Sequence, residues 1–287
     1  KIQKPTMMLK NKNIILTGAS GGIGKYVAQQ CDAQGANLFL ISRSHDQLEN
    51  QIKTLRNLGG KSASYVADVS DEETVIETIG AINLRCENKI HVLINNAGVQ
   101  NPIGPFIGNA LKEWKDNISI NLFGTINMTH AVLPVMRQNN YGKIINLSGG
   151  GSTGPRANFS AYSTAKTAVV RFTENIAVEL RKDNIFINAV SPGAINTSML
   201  GEIINSGKLA GAELAKALER EKSGGDNPQN IMDLISFLVS NESDGISGKL
   251  ISAVWDPWDD PKFQQLLRSD DSIASLRRID NKYYYQK

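Results

Sequence analysis

The segment Asn13-Ile14-Ile15-Leu16-Thr17-Gly18-Ala19-Ser20-Gly21-Gly22-Ile23-Gly24 joins an apolar run to a helix-type pattern through a cluster of glycines. It restricts the chain to folds that bring a ligand to a strand-to-helix turn. Glycine is needed there because the chain must bend sharply and let its backbone approach the ligand, and a Cβ obstructs both. The N–H groups opening the next helix then face an anion, most often a phosphate. Three uses compete. A nucleoside-triphosphate loop needs Gly-x-x-x-x-Gly-Lys-Ser/Thr, but Ala19 replaces the first glycine and Tyr26 the hydroxyl after Lys25. A hydrolase elbow is matched literally by Gly18-Ala19-Ser20-Gly21-Gly22, yet it calls for a histidine late in the chain, and the only ones are His45, His91 and His130. A dinucleotide turn remains, although the spacing Gly18, Gly22, Gly24 departs from Gly-x-Gly-x-x-Gly.

Beyond this turn, apolar runs of strand length alternate with helix-type spacing. Strands are expected at Asn37–Ile41, Ser62–Ala67, Ile90–Ile94, Lys143–Leu147, Ile185–Val190 and Leu250–Val254. Helices are expected at Ile23–Ala33, His45–Leu58 (stopped by Gly59-Gly60), Asp71–Cys86, Trp114–Arg137 with a break near Asn121, Ala161–Arg181 and Pro228–Val239. Parallel strands require crossovers, so the expected fold is α/β: a Rossmann-like, doubly wound parallel sheet of seven strands with helices on both faces. Ligands then bind outside the carboxyl ends of the strands. One domain is expected over residues 8–254, with 194–225 as a mobile substrate lid and 255–287 as an extension packed on the domain or on a neighbouring subunit.

A net charge of +3 gives no reason to expect a nucleic-acid partner. No apolar run suggests a membrane span, and Cys31 and Cys86 suit a reducing compartment, so a cytoplasmic protein is expected.

Three further constellations carry chemistry. Asn95-Asn96-Ala97-Gly98 follows the fourth strand, where small residues and amides can pass beneath a cofactor. Asn121 interrupts a helical pattern. Tyr162 and Lys166 stand four apart on one helix face, where an ammonium can favour phenolate and lower the tyrosine pKa from its ordinary value near about 10. Such a pair moves a proton to or from an alcohol oxygen.

Taken in order, these residues resemble the short-chain dehydrogenase/reductase family in its compact branch, over roughly Lys12 to Val254. The resemblance implies an oxidoreductase that interconverts a carbonyl and a secondary alcohol, with Tyr162 as general acid/base, Lys166 on the nicotinamide ribose and Asn121 holding a helix bend and a water. It assigns the cofactor to Gly18, Ser20, Gly22, Ile23 and Gly24, to Asp68 and Val69 on the adenine side, to Asn95, Ala97 and Gly98, and to Pro192, Gly193 and Thr197 beside the carboxamide. It further implies a homodimer or homotetramer.

One position departs from the family. A serine is expected about thirteen residues before the tyrosine, and Gly149 stands there. Ser148, by a one-residue shift, or Ser152 or Thr153 replaces it, or the role is absent; an open Gly149 would leave room for a bulky substrate. The alternative is therefore an NADP(H)-binding sensor or scaffold with weakened catalysis. At the end of the second strand, Arg43 stands where an acid would select NAD(H), so NADP(H) is expected to be preferred, with Lys25 as a helper. In the tail, Trp255 and Trp258 offer faces for a ring, and Arg268, Arg277 or Arg278 a partner for phosphate. A sugar or nucleotide-sugar is one expectation for the small-molecule substrate, and simple packing of the aromatics is the other.

Overall fold

The computed structural model describes residues 8–57 and 62–278; the expected helix stop at Gly59-Gly60 and the end of the tail lie outside the described residues. The elements run β1 (Asn13–Thr17), α1 (Gly22–Ala33), β2 (Asn37–Ser42), α2 (His45–Asn57), β3 (Ala63–Val66), α3 (Glu72–Arg85), β4 (Val92–Asn95), α4 (Leu111–Ile118), α5 (Gly124–Gln138), β5 (Gly142–Leu147), α6 (Ser160–Glu179), β6 (Ile185–Ser191), α7 (Ser198–Asn205), α8 (Ala212–Ser223), α9 (Pro228–Val239), β7 (Leu250–Ser252) and α10 (Pro261–Ser269). All strand pairs are parallel, in the order β3-β2-β1-β4-β5-β6-β7. The order reverses between β1 and β4, and the crevice that this reversal opens at the carboxyl ends is where a ligand fits.

Period-two alternation sends successive strand residues to opposite faces. Ile14 and Leu16 of β1, with Leu38 and Leu40 of β2, join a core made with α1, α2 and α9. Ile15, Phe39 and Leu93 join the other core, beneath α3 and α5. Because both faces are covered, β4 and β5 are buried along their whole length.

Helix ends follow local chemistry. Asp71 caps α3 by accepting from the Thr74 N–H at 3.2 Å, and Gly35 takes a φ of +86° just past α1, where a side chain would be strained.

One departure concerns the middle of the chain. The expected break near Asn121 is a five-residue π-helical turn, Ser119–Phe123, that leaves α4 and α5 continuous. By length and mean hydropathy (1.2) the run Leu111–Gln138 is long and apolar enough to cross a membrane, contrary to the sequence expectation. Its inner face packs on the sheet through Met128, Val132 and Met136. In the described part of the tail, Trp258 packs on Phe237 at 5.8 Å between ring centroids. The Leu250 N–H donates to the Ala274 carbonyl at 2.7 Å, and Lys249 Nζ donates to the Asp270 carbonyl at 2.6 Å. Residues 194–225 fold as α7 and α8 over a small cluster of Ile103, Phe159, Leu200, Ile203, Ala210 and Ala217.

Candidate active site

The glycine turn is held shut by the segment that follows β4. Thr17 Oγ1 accepts from the N–H groups of Asn96 and Ala97 at 3.0 Å each, while Asn96 Nδ2 donates to the carbonyls of Thr17 and Gly18, also at 3.0 Å. A Cβ on Gly18 would lie 2.8 Å from the Ala97 Cα, and one on Gly24 would overlap the Gly18 carbonyl oxygen, so neither position tolerates a side chain. Helix α1 starts at Gly21 with no side chain capping it. Its first N–H groups are thus open toward a cavity of about 680 Å³ that runs from Arg43 past Ser20 and Gly22 to Tyr162 and Trp255. A cradle with no side chains and free helix N–H groups fits the pyrophosphate of a dinucleotide.

At the other end, α6 presents Tyr162 and Lys166 one turn apart, both nearly inaccessible at 7% and 4%. Lys166 Nζ donates to the Leu147 carbonyl at 2.8 Å, and burial lowers its pKa to about 8. The π-helical turn aims Asn121 inward. Its Nδ2 donates to the carbonyls of Val99 at 2.7 Å and Asn117 at 3.0 Å, and its Oδ1 accepts from the Val99 N–H at 3.3 Å. Gly98 lies close against both Asn121 and Lys166: a Cβ there would stand 2.7 Å from Asn121 Oδ1 and 3.3 Å from Lys166 Nζ.

Two expectations change. Lys166 is not what pulls the Tyr162 pKa down: burial raises it, and the cation acting in the opposite sense is Arg156. The reason is placement, since Lys166 Nζ lies over the ring, 5.8 Å from its centroid, and is directed to a carbonyl. Gly149 does not make room for substrate either. A Cβ there would overlap the Tyr162 hydroxyl and come within 3.0 Å of Cζ, so the space belongs to the tyrosine. The hydroxyl beside it is that of Ser148, which lines the cavity and is buried with no hydrogen-bond partner.

Of the residues expected to bind cofactor, Gly18, Ser20, Gly22, Ile23, Arg43, Gly98, Lys166, Pro192, Gly193 and Thr197 line this one cavity. Others support it from behind. Asn95 is buried away from the cavity, its Nδ2 donating to Asn146 Oδ1 at 2.9 Å and to Thr129 Oγ1 at 3.2 Å. Val69 packs beneath Gly124 in the second core, and Asp68 accepts from Ser70 and lies 3.8 Å from Arg43. Lys25 lies in an adjoining groove. Among the described tail residues only Trp255 reaches the cavity; Arg268 is spent on the carbonyls of Asp244 and Glu242. The residues that sequence reasoning missed are Asn96, inside a motif already singled out, and Arg156, Glu213 and Arg220, which line the substrate end but belong to no local pattern.

A doubly wound sheet with a dinucleotide cradle and a buried tyrosine–lysine pair in the same crevice defines a nucleotide-dependent oxidoreductase. The model of the short chain dehydrogenase family matches residues 12–207, and the chain belongs to that family. It is 31% identical over 246 residues to the 3-oxoacyl-(acyl-carrier-protein) reductase FabG of Thermotoga maritima, covering 85% of this chain and 97% of that protein. Dehydrogenase/reductase SDR family member 4 of Sus scrofa is 28% identical over 247 residues, covering 85% and 86%. Among solved structures, NAD+-bound xylitol dehydrogenase superposes with a TM-score of 0.79 at 28% identity, covering 85% of this chain and 98% of that one.

Proposed function

We propose that this oxidoreductase interconverts a carbonyl and a secondary alcohol on a small molecule, with NADP(H) preferred over NAD(H). The observation that carries the reading is the convergence of Tyr162, Lys166 and the partnerless hydroxyl of Ser148 at the end of a cavity whose other end is the glycine cradle. When bound, the nicotinamide cofactor supplies or takes the hydride. The chain does the rest. Gly18, Ser20, Gly22 and the first N–H groups of α1 hold the pyrophosphate, Pro192, Gly193 and Thr197 the carboxamide side, and Arg43 a 2′-phosphate. Ser148 Oγ donates to the substrate oxygen, Tyr162 Oη gives or receives the proton, and Lys166, fixed by the Leu147 carbonyl, orients the ribose and returns the proton toward solvent. Residues 194–225 close the substrate side, and Trp255 offers a face to a ring such as a sugar or nucleotide-sugar. A cytoplasmic homo-oligomer belongs to the same reading.

The test is NADPH oxidation with a panel of ketones, keto acids and keto-sugars, wild type against Tyr162→Phe. Loss of a general acid is expected to lower turnover by about 10² to 10⁴. The sensor reading draws on Gly149 and on the raised Tyr162 pKa. Tight cofactor binding without Tyr162-dependent turnover on any substrate selects it.

A further inference from the structure

The substrate end of the cavity is lined by two guanidinium groups, Arg156 and Arg220, with the carboxylates of Glu213 and Asp226 beside them. Arg156, in the loop before α6, is held in place from two sides. Its Nε and Nη2 donate to Glu213 Oε2 of α8 at 3.0 and 2.9 Å, and its guanidinium carbon stacks 3.8 Å from the Phe159 ring centroid. That pair is largely shielded, at 16% and 23% side-chain exposure. Nη1 is 3.7 Å from where a Cβ on Gly150 would be, and Arg156, Gly150 and Tyr162 line the same cavity. Arg220, from the last turn of α8, lines the same cavity, and its Nε is shielded from solvent without a hydrogen-bond partner.

The nearby carboxylates are already engaged. Glu213 is shared between Arg156 and Lys216, the latter at 3.0 Å. Asp226 accepts the Ala194 N–H at 2.6 Å. A shielded guanidinium N–H without a partner costs free energy until something accepts from it, and its planar fork matches a carboxylate or a phosphate. Glu213 and Asp226 face the cavity as well, and they repel a dianion more strongly than a monoanion.

From this geometry we infer that the substrate is a keto or hydroxy acid whose carboxylate binds between Arg156 and Arg220 while its carbonyl meets Tyr162 and Ser148. The inference rests on the carbonyl–alcohol reading above and assigns its substrate class. It also gives the lid a role, because the carboxylate ties α8 to the loop that precedes the catalytic helix.

The experiment compares matched pairs with the NADPH-loaded protein: 3-oxobutanoate, 4-oxopentanoate and 5-oxohexanoate, each against its methyl ester, plus dihydroxyacetone phosphate against dihydroxyacetone. The expected result is a kcat/KM preference for the acid of about tenfold to hundredfold in at least one pair, expressed mainly in KM, as loss of a charge-assisted hydrogen bond implies. In Arg220→Gln the acid-to-ester ratio falls toward one, which a merely structural role for Arg220 would not produce. Ketone reduction in which no acid outruns its ester, or a ratio that survives Arg220→Gln, overturns the inference and leaves the reductase reading standing. A preference confined to the phosphate pair overturns the carboxylate assignment. If no compound is turned over in a Tyr162-dependent way, the reductase reading fails, and calorimetric binding of the same pairs decides the inference: equal binding of acids and esters overturns it.

Discussion

Tyr162 occupies the space that a side chain at Gly149 would need, since a Cβ there would overlap the hydroxyl oxygen and stand 3.0 Å from Cζ. The glycine is therefore part of how the tyrosine is positioned, rather than a gap in the catalytic set. Installing the family's serine as Gly149→Ser is expected to push the tyrosine aside and lower turnover by about 10²-fold, the usual scale for an ångström of misplacement. Steady-state kinetics of this variant and of Gly149→Ala check it. A gain in turnover on adding the serine would show that the position is simply vacant.

If Gly149 belongs to Tyr162, the donor to the substrate oxygen has to come from elsewhere, and Ser148 lines the cavity with a buried hydroxyl that has no partner. Ser148→Ala should cost on the order of 10² to 10³ in kcat, as removal of one oxyanion donor does. KM and cofactor affinity should change little, and Ser152→Ala, a substitution in the loop beyond the glycines, should have a small effect. Equal losses from the two variants would mean that the loop conformation, rather than the Ser148 hydroxyl, is what matters.

Cofactor choice turns on Arg43. Its contact with Asp68 is long, at 3.8 Å, and both partners are solvated at 58% and 39% exposure, so the pair is worth little and leaves the guanidinium available. Removing it in Arg43→Ala should weaken NADPH binding by about tenfold to hundredfold while NADH binding stays within a factor of about two. Fluorescence titration with each cofactor measures this. Equal weakening of both would place Arg43 in the general structure of the β2 turn and remove the basis for an NADP(H) preference.

The fold was legible because its signals are local. Leu16 and Ile15 alternate between two cores, Asp71 caps a helix, Gly35 ends one, and each is visible within a few residues of chain. The site was legible where backbone chemistry demands particular residues, as at Gly18 and Gly98, whose missing side chains admit Ala97 and Asn121. Sequence order did not reveal which face of a motif looks at the cavity: Asn95 turns to Asn146 while its neighbour Asn96 holds the glycine turn. Nor did it reveal Arg156 and Arg220, which are joined only by the folding of the 194–225 segment over the crevice. The two tail tryptophans look equivalent in the chain, yet Trp258 is half-buried against Phe237 and Trp255 is 83% exposed at the cavity rim.

Burial of Lys166 makes stability depend on pH in a definite direction. Its folded pKa is about 8 against an ordinary 10.5, so between those values the unfolded chain holds a proton that the folded one has released. Stability therefore rises with pH across that window, and below about 8 the full cost of charging a buried ammonium is present, on the order of 2 to 3 kcal/mol. Lys143, Lys12 and Lys249 are also lowered by burial and contribute a slope of the same sign, so the wild-type curve alone does not isolate Lys166. The difference between wild type and Lys166→Met does. Urea unfolding of the cofactor-free proteins from pH 7 to 10 should show the variant gaining on the wild type at pH 7, with the gap closing as pH rises through 8 toward 10. A gap independent of pH would mean that Lys166 is charged throughout, held so by the Leu147 carbonyl despite its burial.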